Sequence, residues 1–284
     1  MAFVTLVRGQ PLRGRGMAKL EVRGLRKYYR TRRTGELVPA LENVSLEVDQ
    51  GQFAAIVGPS GCGKSTLLKI IAGLETKDEG SVLVDGEEVT GPSWKRGMVF
   101  QDFALPPWKT VRENIELGLK FRGIPPEKRA EVSAHLIGLV GLRGFENKYP
   151  HELSGGMKQR CALARTLAND PEMLLLDEPF AAVDAQTREL LQEELLKIWG
   201  EEVSREQRKL IILVTHSIDE AIFLSDVVFV MSARPGAIKE IFANPLGRPR
   251  DIGVKSTKLF LDAKEYLWGR IKDEVLKAIR QAVG

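Results

Sequence analysis

Residues 58–66 read G-P-S-G-C-G-K-S-T and follow the apolar run Phe53–Val57. The phosphate-binding pattern G-x-x-x-x-G-K-[ST] is satisfied from Gly58 to Ser65. The apolar run predicts a buried strand, and the apolar spacing from Leu67 to Gly73 predicts a helix that ends near the glycine. A strand, a glycine-rich loop and a helix in this order are the context in which the pattern binds phosphate groups.

The chemistry of this loop indicates a nucleoside triphosphate as its ligand. Glycines let successive backbone N–H groups converge on phosphate oxygens, and the helix N-terminus adds a partial positive charge. We expect Lys64 to reach the terminal phosphates, Ser65 to offer its hydroxyl to Mg²⁺, and Cys62 to be a small tolerated residue rather than a catalytic thiol. A glycine-rich turn that contains Gly-Lys-Ser by chance is the alternative. The predicted nucleotide-binding residues are Gly58, Pro59, Ser60, Gly61, Cys62, Gly63, Lys64, Ser65 and Thr66.

The bulk composition is that of an ordinary globular protein. The chain has 284 residues, of which 43% are hydrophobic, and its strongly apolar runs, such as Val227–Met231, are far shorter than the roughly 20 residues that span a bilayer. The N-terminus has no secretory signal pattern. The two cysteines, Cys62 and Cys161, lack metal-ligand spacing, which favours free thiols in a reducing compartment. We therefore expect a cytosolic protein.

Charge is distributed unevenly along the chain. Residues 1–33 contain ten Lys or Arg and the single acid Glu21, a balance of +9 that leaves −5 of the total +4 for the remaining residues. A basic start could contact nucleic acid or anionic lipid, but a solvated tail plus an exposed strand is the simpler interpretation. Because Met17 also begins a credible start, we expect residues 1–16 to be a disordered leader or an expression remnant.

Periodicity predicts a small sheet first and a helical insert later. The alternating segments Lys19–Val22 and Val44–Val48 predict an antiparallel strand pair. From Val111 to Leu167 the pattern is helical, with a helix start at Pro125-Pro126 and breakers at Gly141 and Gly144.

The second half alternates between strand and helix patterns. Strand-like runs occur at Met173–Leu176, Leu210–Val214 and Val227–Met231, with helical stretches between them. This alternation predicts a parallel α/β sheet. The tail, Ser256–Val283, carries apolar residues at helix-face spacing and is expected to dock on another element. Those residues are Phe260, Leu267, Ile271, Val275, Ile279 and Val283.

Two acids follow the apolar run Leu174–Leu176 directly. A strand that ends in Asp177 would place one carboxylate near the Mg²⁺ of the loop, and Glu178 could accept a proton from an attacking water. Acids that merely mark the point where a strand reaches the surface are the alternative, and the phosphate loop disfavours it.

Leu153–Arg160 reads L-S-G-G-M-K-Q-R and resembles the signature motif of ATP-binding-cassette (ABC) ATPases. It falls after the helical insert and one helix ahead of Asp177, and the resemblance covers roughly Lys19–Arg234. The resemblance implies an α/β fold of the P-loop NTPase (RecA-like) class, with a parallel-sheet core, an N-terminal antiparallel β subdomain and a helical subdomain. It places the ATPase domain at 17–235, the helical subdomain at about 102–162, and a C-terminal extension ending in an amphipathic helix at 236–284.

The resemblance also implies roles for residues that mean little alone. Gln101 matches the Q-loop glutamine, a metal ligand in the family, and His216 matches the switch histidine; with Glu178 they form the expected catalytic set. Ala182–Asp184 resembles the D-loop, so Asp184 joins the nucleotide site. Tyr29, or alternatively Tyr28, fits the aromatic that stacks on adenine. The metal ligands implied are Ser65, Gln101 and Asp177, and the cofactors are ATP and Mg²⁺.

In this family the signature serine and glycines close over the ATP held by a second subunit. Ser154, Gly155 and Gly156 would therefore cap the γ-phosphate of the partner with a helix N-terminus. The resemblance implies a homodimer, or a heterodimer with a second cassette, that sandwiches two ATP molecules and opens after hydrolysis.

Four segments resemble the ATPase subunits of bacterial nitrate, sulfonate and taurine importers. These are Val99–Gln101, Leu105–Asn114, Pro150–Met157 and Met231–Gly236. Trp108 is expected either to anchor the coupling helix of a membrane subunit or to be a core residue of the insert. Ala181–Asp184 and Ser217 depart mildly from the family pattern, and neither departure removes a catalytic atom.

The leading hypothesis is an ATP-hydrolysing importer subunit on the cytoplasmic face of the membrane. Its partners would be permease subunits and, indirectly, a solute-binding protein, with no nucleic acid expected. An ABC ATPase associated with nucleic acid or the ribosome is the alternative, although such proteins usually carry two cassettes or a long coiled coil. A P-loop kinase or a regulatory nucleotide-binding protein would leave the signature motif, Gln101 and His216 unexplained.

Overall fold

The structure is a computed structural model that describes residues 5–6, 19–31, 35–200 and 204–283. Its chain contacts divide it into two compact units: unit 1 is Met1–Ser93 with Trp199–Gly284, and unit 2 is Trp94–Ile198. The leader expected at residues 1–16 lies outside the described residues except for Thr5–Leu6, which form a two-residue strand, β1.

Unit 1 is built on a buried parallel sheet. Strand β4 (Phe53–Val57) lies between β9 (Leu210–Val214) and β10 (Val227–Met231) and pairs in parallel with both. All fifteen residues of these strands are buried, as expected for continuous apolar runs covered on both faces. β11 (Ile238–Ala243) extends the sheet antiparallel to β10, and β1 pairs antiparallel with β11. The predicted strands of this sheet are confirmed.

A second sheet in unit 1 is antiparallel. Its order is β3 (Leu37–Val48), β2 (Leu20–Arg30), β5 (Glu79–Val84) and β6 (Glu87–Glu88). The predicted antiparallel pairing of β2 with β3 is confirmed. Each strand extends beyond the alternating segment that predicted it. The sequence did not predict β5 or β6.

The described residues of unit 1 include three α-helices. They are α1 (Lys64–Ala72), α6 (Ile218–Leu224) and α7 (Lys258–Val283). The predicted helical tail is confirmed as α7, which buries Phe260, Leu267 and Ile271. The expectation for Ile279 was wrong, because its side chain is 54% exposed. After Ile271, the buried position on α7 is occupied by Glu274. Apolar periodicity does not detect a polar residue at such a position.

Unit 2 combines a pair of parallel strands with helices. Its elements are β7 (Arg96–Val99), α2 (Val111–Phe121), α3 (Pro126–Leu139), α4 (Gly155–Leu167), β8 (Met173–Asp177) and α5 (Ala185–Trp199), whose last residue belongs to unit 1. β7 and β8 pair in parallel. The predicted helical region is confirmed as α2, α3 and α4, and α3 begins at the predicted Pro125-Pro126.

The start of α2 shows how locally these helices are specified. The Thr110 hydroxyl accepts the N–H of Glu113, and the Glu113 carboxylate accepts the N–H of Thr110, which satisfies two amide donors that the helix itself leaves free. Of the helices in the described residues, none is both long and apolar enough to cross a membrane.

Candidate nucleotide-binding and catalytic sites

The phosphate loop leaves the carboxyl end of β4 and runs into α1. Gly61 and Gly63 have left-handed φ values of 74° and 104°, a conformation that glycine adopts without steric cost. A Cβ added to Gly63 would lie 2.7 Å from Leu41 Cδ2 and 2.9 Å from the carbonyl oxygen of Ala40. Gly63 is therefore required for two reasons. Its backbone conformation favours glycine, and β3 lies too close to leave space for a side chain.

Lys64 lies inside the loop. Its ammonium donates to the carbonyl oxygens of Gly58 at 2.9 Å and Pro59 at 2.8 Å, and the residue is only 6% exposed. A buried ammonium needs such partners, and the loop supplies them from its own backbone. The positive charge is therefore held within the loop.

Cys62 is fully buried in the same loop. Burial raises the pKa of the thiol, and the nearby Lys64 ammonium opposes this shift only in part. A protonated, buried thiol is a poor nucleophile. This supports the interpretation of Cys62 as a small packed residue.

His216 lies at the same sheet edge as the phosphate loop. The parallel register pairs Ile56 with Val214, so residues two positions further along, Gly58 and His216, leave neighbouring strands at the same end. The side chain of His216 is exposed. Ser217, which departs from the family pattern, accepts the N–H of Glu220 and caps α6. The departure therefore keeps a helix-capping residue.

Tyr29 and Tyr28 are distinguished by their contacts. The Tyr29 hydroxyl lies 3.5 Å from the Thr66 hydroxyl, and its ring is 38% exposed with the Lys27 ammonium 5.3 Å from the centroid. Neighbouring residues of a strand point to opposite faces, so Tyr28 does not share this position. The contacts favour Tyr29 as the adenine-stacking residue, which stays a prediction.

Unit 2 brings Gln101 and Glu178 together. Val99 pairs with Leu176 in the parallel register of β7 and β8, which places the residues two positions later side by side. The Gln101 amide Nε2 donates to Glu178 Oε2 at 3.2 Å. Asp177, the last residue of β8, is 3% exposed. One amide and two carboxylates thus meet at the carboxyl edge of this strand pair.

Strained backbone occurs beside this group. Phe103, Ala104 and Glu178 have left-handed φ values of 62°, 47° and 49°, although none is glycine. Such conformations cost of order 1–3 kcal/mol each and persist where surrounding contacts hold them. Strain that lies beside candidate catalytic side chains is a common property of functional sites.

Arg165 of α4 holds the strained segment. Its guanidinium donates to the carbonyl oxygens of Phe103 at 2.9 Å and Ala104 at 2.5 Å. Burial lowers the pKa of this arginine, although it stays a cation at any physiological pH. Sequence reasoning missed Arg165, because its partners are 61 and 62 residues away and are backbone atoms.

The signature residues open α4. The Ser154 hydroxyl accepts the N–H of Met157 at 3.3 Å, which confirms the expected N-cap geometry. Ser154 and Gly155 are exposed, and a Cβ added to Gly155 would lie 3.5 Å from the carbonyl oxygen of Ala182. Asp184 caps α5 by accepting the N–H of Thr187, a bond that lowers the pKa of its carboxyl. The signature and the D-loop segment are therefore neighbours.

The predicted site residues fall into two sets. Unit 1 holds the phosphate loop, Tyr29 and His216, and unit 2 holds Gln101, the Asp177-Glu178 pair, the signature and Asp184. Their meeting around one nucleotide stays a prediction.

The donor chemistry fits Mg²⁺. The predicted ligands are a hydroxyl (Ser65), an amide (Gln101) and a carboxylate (Asp177), which offer hard oxygen atoms. Within the described part of the chain, no group of three or more His, Cys, Asp or Glu side chains could hold a metal by itself. In the usual Mg²⁺ arrangement, one or two carboxylates are completed by waters and substrate phosphates.

Trp108 is 73% exposed, so the alternative that it is a core residue of the helical region was wrong. Its ring is free to contact another molecule.

Comparison with known proteins identifies the family. Residues 41–181 match the family model of the ABC transporter domain. An uncharacterized ABC transporter ATP-binding protein of Methanocaldococcus jannaschii is 52% identical over 94% of this chain and 97% of its own length. The nitrate import ATP-binding protein of Synechocystis sp. is 42% identical, with 92% and 95% covered. The aliphatic sulfonates import ATP-binding protein of Bacillus thuringiensis is 50% identical, with 79% and 86% covered.

A solved structure agrees with these relatives. The dimeric post-hydrolysis state of an ATP-binding cassette bound to ADP and phosphate superposes with a TM-score of 0.71 at 32% identity, covering 80% of this chain and all of that one. The predicted P-loop NTPase fold, with parallel strands, an antiparallel sheet and helices, is confirmed.

Proposed function

The chain belongs to the ABC transporter family as an ATP-binding, ATP-hydrolysing protein, and from this premise we propose that it is the ATPase subunit of a bacterial-type importer for a small anion such as nitrate, a sulfonate or taurine. The observation that carries the importer assignment is the match to nitrate and sulfonate import proteins over 95% and 86% of their lengths. The motifs around Trp108 and after β10 support the same subgroup.

We assign the hydrolytic roles as follows. The loop backbone and Lys64 bind the phosphates, and Glu178 accepts a proton from the attacking water. The water oxygen bonds to the γ-phosphorus while the bond to the bridging oxygen of ADP breaks, and His216 orients the γ-phosphate. Mg²⁺ held by Ser65, Asp177 and Gln101 would supply charge neutralisation between the phosphates. The Gln101–Glu178 bond supports this assignment, because it shows both side chains at one point.

We further propose that the working unit is a dimer. The N-terminus of α4 is exposed at Ser154 and Gly155, and a helix N-terminus is a ready site for an anion. We assign the γ-phosphate bound by a second cassette as the ligand of this helix N-terminus. Asp184 follows the D-loop residue Ala182, which lies beside Gly155, and we assign it to the same nucleotide site. The dimeric ADP-bound relative supports this arrangement.

The proposed role includes a domain organisation, a location and a set of partners. Residues 17–235 would form the cassette, 102–162 its helical subdomain and 236–284 the extension. The protein would lie on the cytoplasmic face of the membrane, bound to permease subunits and acting indirectly with a solute-binding protein. The exposed Trp108 supports a contact with a membrane subunit, because exposed aromatic anchors are typical of interface hot spots.

The test is affinity capture of tagged E178Q protein with Mg-ATP from detergent-solubilised native membranes, followed by mass spectrometry. A Lys64→Ala variant, which lacks the phosphate-binding ammonium, is the matched control. A multi-span permease captured by E178Q, and less by the control, would support the importer. Ribosomal or DNA-bound proteins without a permease would refute the transport role and leave the ATPase assignment intact.

A further inference from the structure

We propose that Glu274, on the C-terminal helix α7, is a positioning residue for nucleotide binding that holds residues 232–236 against the phosphate loop. These five residues, S-A-R-P-G, lie between β10 and β11 and are called the 232–236 turn. All the contacts that carry the proposal lie within unit 1. It goes beyond the proposed transport role, because it concerns only how the loop is kept in place.

Glu274 is a buried carboxylate with three donors. Oε2 accepts the backbone N–H of Ala233 at 2.9 Å, and Oε1 accepts the ammonium groups of Lys239 at 2.7 Å and Lys277 at 2.8 Å. The residue is 2% exposed. Removing a carboxylate from water is costly unless hydrogen bonds and counter-charges compensate it. Both oxygens are compensated here, and one of them is committed to the backbone of the 232–236 turn.

The protonation state of Glu274 agrees with this geometry. Burial by itself raises the pKa of the carboxyl, but the bonds from Lys239, Lys277 and Ala233 outweigh burial and bring the pKa to about 2. The side chain is therefore ionised at neutral pH, and its hydrogen bond to Ala233 is charge-assisted. Such bonds are roughly twice as strong as neutral ones.

The 232–236 turn is internally bonded. Ser232 N–H donates to the carbonyl oxygen of Ala237 at 2.9 Å, and Ala237 N–H donates to the Ser232 hydroxyl oxygen at 3.0 Å. The Ser232 hydroxyl donates to the carbonyl oxygen of Pro235 at 3.1 Å. A turn this short with these bonds moves as one piece, so the anchor at Ala233 also fixes Gly236.

Gly236 contacts both β3 and the phosphate loop. Its N–H donates to the carbonyl oxygen of Ala40 at 2.9 Å, and its own carbonyl oxygen accepts the N–H of Glu42 at 2.9 Å. A Cβ added to Gly236 would lie 2.0 Å from the carbonyl oxygen of Cys62. The backbone of the turn therefore lies directly against the backbone of the phosphate loop.

A second contact lies beside the first. A Cβ added to Gly58 would lie 2.9 Å from the carbonyl oxygen of Met231 and 3.2 Å from Cys62 Sγ. The end of β10 and the 232–236 turn thus support the loop at Gly58 and at Cys62. These contacts leave the loop little space to move as long as the turn keeps its place.

The helix α7 is itself docked on unit 1. Phe260, Ala263, Leu267 and Ile271 are buried, each about one helical turn from the next, and Glu274 continues that buried face. Burial of this apolar face positions the carboxylate, and the carboxylate positions the turn. The sequence that ends the chain therefore contributes to a site more than 200 residues earlier.

The first test measures how often the loop opens. The full-length wild type, E274A and E274Q are treated with N-ethylmaleimide under native conditions, and alkylation of each cysteine is followed by peptide mass spectrometry. Cys161 in unit 2, whose buried thiol has a pKa raised to about 12, serves as the internal reference for general loosening. Y266F is the matched control, because it removes the hydrogen bond from α7 to Glu240 on β11 and leaves the turn bonds in place.

We expect the alkylation rate of Cys62 to rise about fivefold in E274A, because a lost net hydrogen bond of about 1 kcal/mol makes local opening that much more frequent. E274Q, which keeps an acceptor for Ala233 but loses the charge, should lie between E274A and wild type. Cys161 should react at the wild-type rate in both, and Y266F should leave Cys62 unchanged. Unchanged Cys62 reactivity in E274A, or equal acceleration of both cysteines, would overturn the proposal.

The second test measures binding. The Kd of a fluorescent ATP analogue should rise about fivefold in E274A, the same factor as expected for opening of the loop. It should rise at least as much in G236A, which breaks the contact between Gly236 and Cys62 without changing α7. Unchanged affinity in both variants would contradict the positioning role. Neither experiment involves a permease, so failure here is distinguishable from failure of the transport role.

Discussion

The phosphate loop in unit 1 and the segment after Gln101 in unit 2 both depend on left-handed backbone, but they achieve it with different residues. In the loop the positive φ values belong to Gly61 and Gly63, for which this conformation has no steric cost. Around Gln101 in unit 2 they belong to Phe103, Ala104 and Glu178, for which it is strained. One region is relaxed and the other is strained.

The difference in strain suggests a difference in task. The loop is a preformed cradle, with its lysine bonded to its own carbonyl oxygens and its backbone supported by the 232–236 turn. The segment after Gln101 contains strained residues whose carbonyl oxygens accept the two bonds from Arg165. A region of this kind is suited to change when nucleotide binds, whereas the loop is suited to bind it.

The largest expected effect separates catalysis from binding. E178Q should lower kcat for ATP hydrolysis about 10²–10⁴-fold, because a neutral amide cannot accept the proton of the attacking water. The Kd for ATP should stay close to wild type, since the cradle is intact. Phosphate release and fluorescent-nucleotide titration measure the two quantities. E172Q, at an exposed carboxylate paired with Lys95 in the same unit, should keep wild-type turnover, and normal turnover in E178Q would disprove the assignment.

The second effect tests how firmly the cradle is supported. The folded pKa of Glu274 is about 2, below its ordinary value of 4.5, so its ionised form stabilises the fold fully above pH 4.5 and loses this contribution as the pH falls toward 2. The contribution is about 3 kcal/mol, of which about 2 kcal/mol is lost by pH 3. The difference in unfolding free energy between wild type and E274Q should therefore shrink by that amount between pH 7 and pH 3 in chemical denaturation. A difference that does not change with pH would contradict this.

The third effect removes the brace of the strained segment. R165M should destabilise the fold by about 1–2 kcal/mol, because the carbonyl oxygens of Phe103 and Ala104 lose a charged donor. It should also lower kcat, since Gln101 is close to the released segment. R165K, which keeps the charge but has a single terminal nitrogen, should lie between R165M and wild type. Equal stability of wild type and R165M by thermal unfolding would show that Arg165 is not a brace.

The fourth effect compares two glycines of the cradle. G63A should bind ATP about tenfold more weakly than G61A, because a Cβ at Gly63 overlaps β3 atoms as well as straining the backbone. At Gly61, no atom of the described residues lies within 4 Å of an added Cβ, so strain alone acts. Titration of both proteins with the same fluorescent nucleotide gives the ratio, and equal affinities would refute the importance of the contact with Leu41 and Ala40.

The smallest effect has the opposite sign. A104G should stabilise the fold by about 0.5 kcal/mol, since relief of a left-handed penalty of about 1–2 kcal/mol exceeds the entropic cost of glycine. A130G, at an exposed position within α3, should destabilise by about 1 kcal/mol. Thermal unfolding distinguishes the two signs. Destabilisation by A104G would mean that residue 104 is not strained.

Local patterns predicted the cradle well. The strand, loop and helix around Gly58–Thr66, the N-cap at Ser154 and the strand ending in Asp177 are each defined by residues close in sequence, and the structure has them where expected. Propensity, periodicity and capping act over such short distances.

Long-range contacts could not be predicted in the same way. Arg165 and Glu274 act on backbone atoms about 60 and 40 residues away, and a backbone acceptor or donor leaves no side-chain signal. The buried end of α7 was misjudged for a related reason, because apolar spacing selected Ile279 while a satisfied carboxylate at Glu274 occupies the buried position. The strain at residues 103 and 104 likewise arises from tertiary contacts.

The most direct test of this account is a structure of E178Q solved with Mg-ATP. We predict a dimer in which each nucleotide lies between the phosphate loop of one copy and Ser154 of the other, with Gln101 released from position 178 and turned toward the metal. A monomer with ATP bound by the loop alone, and with residues 101–104 unchanged, would contradict the proposal that the relaxed cradle and the strained segment act on one nucleotide.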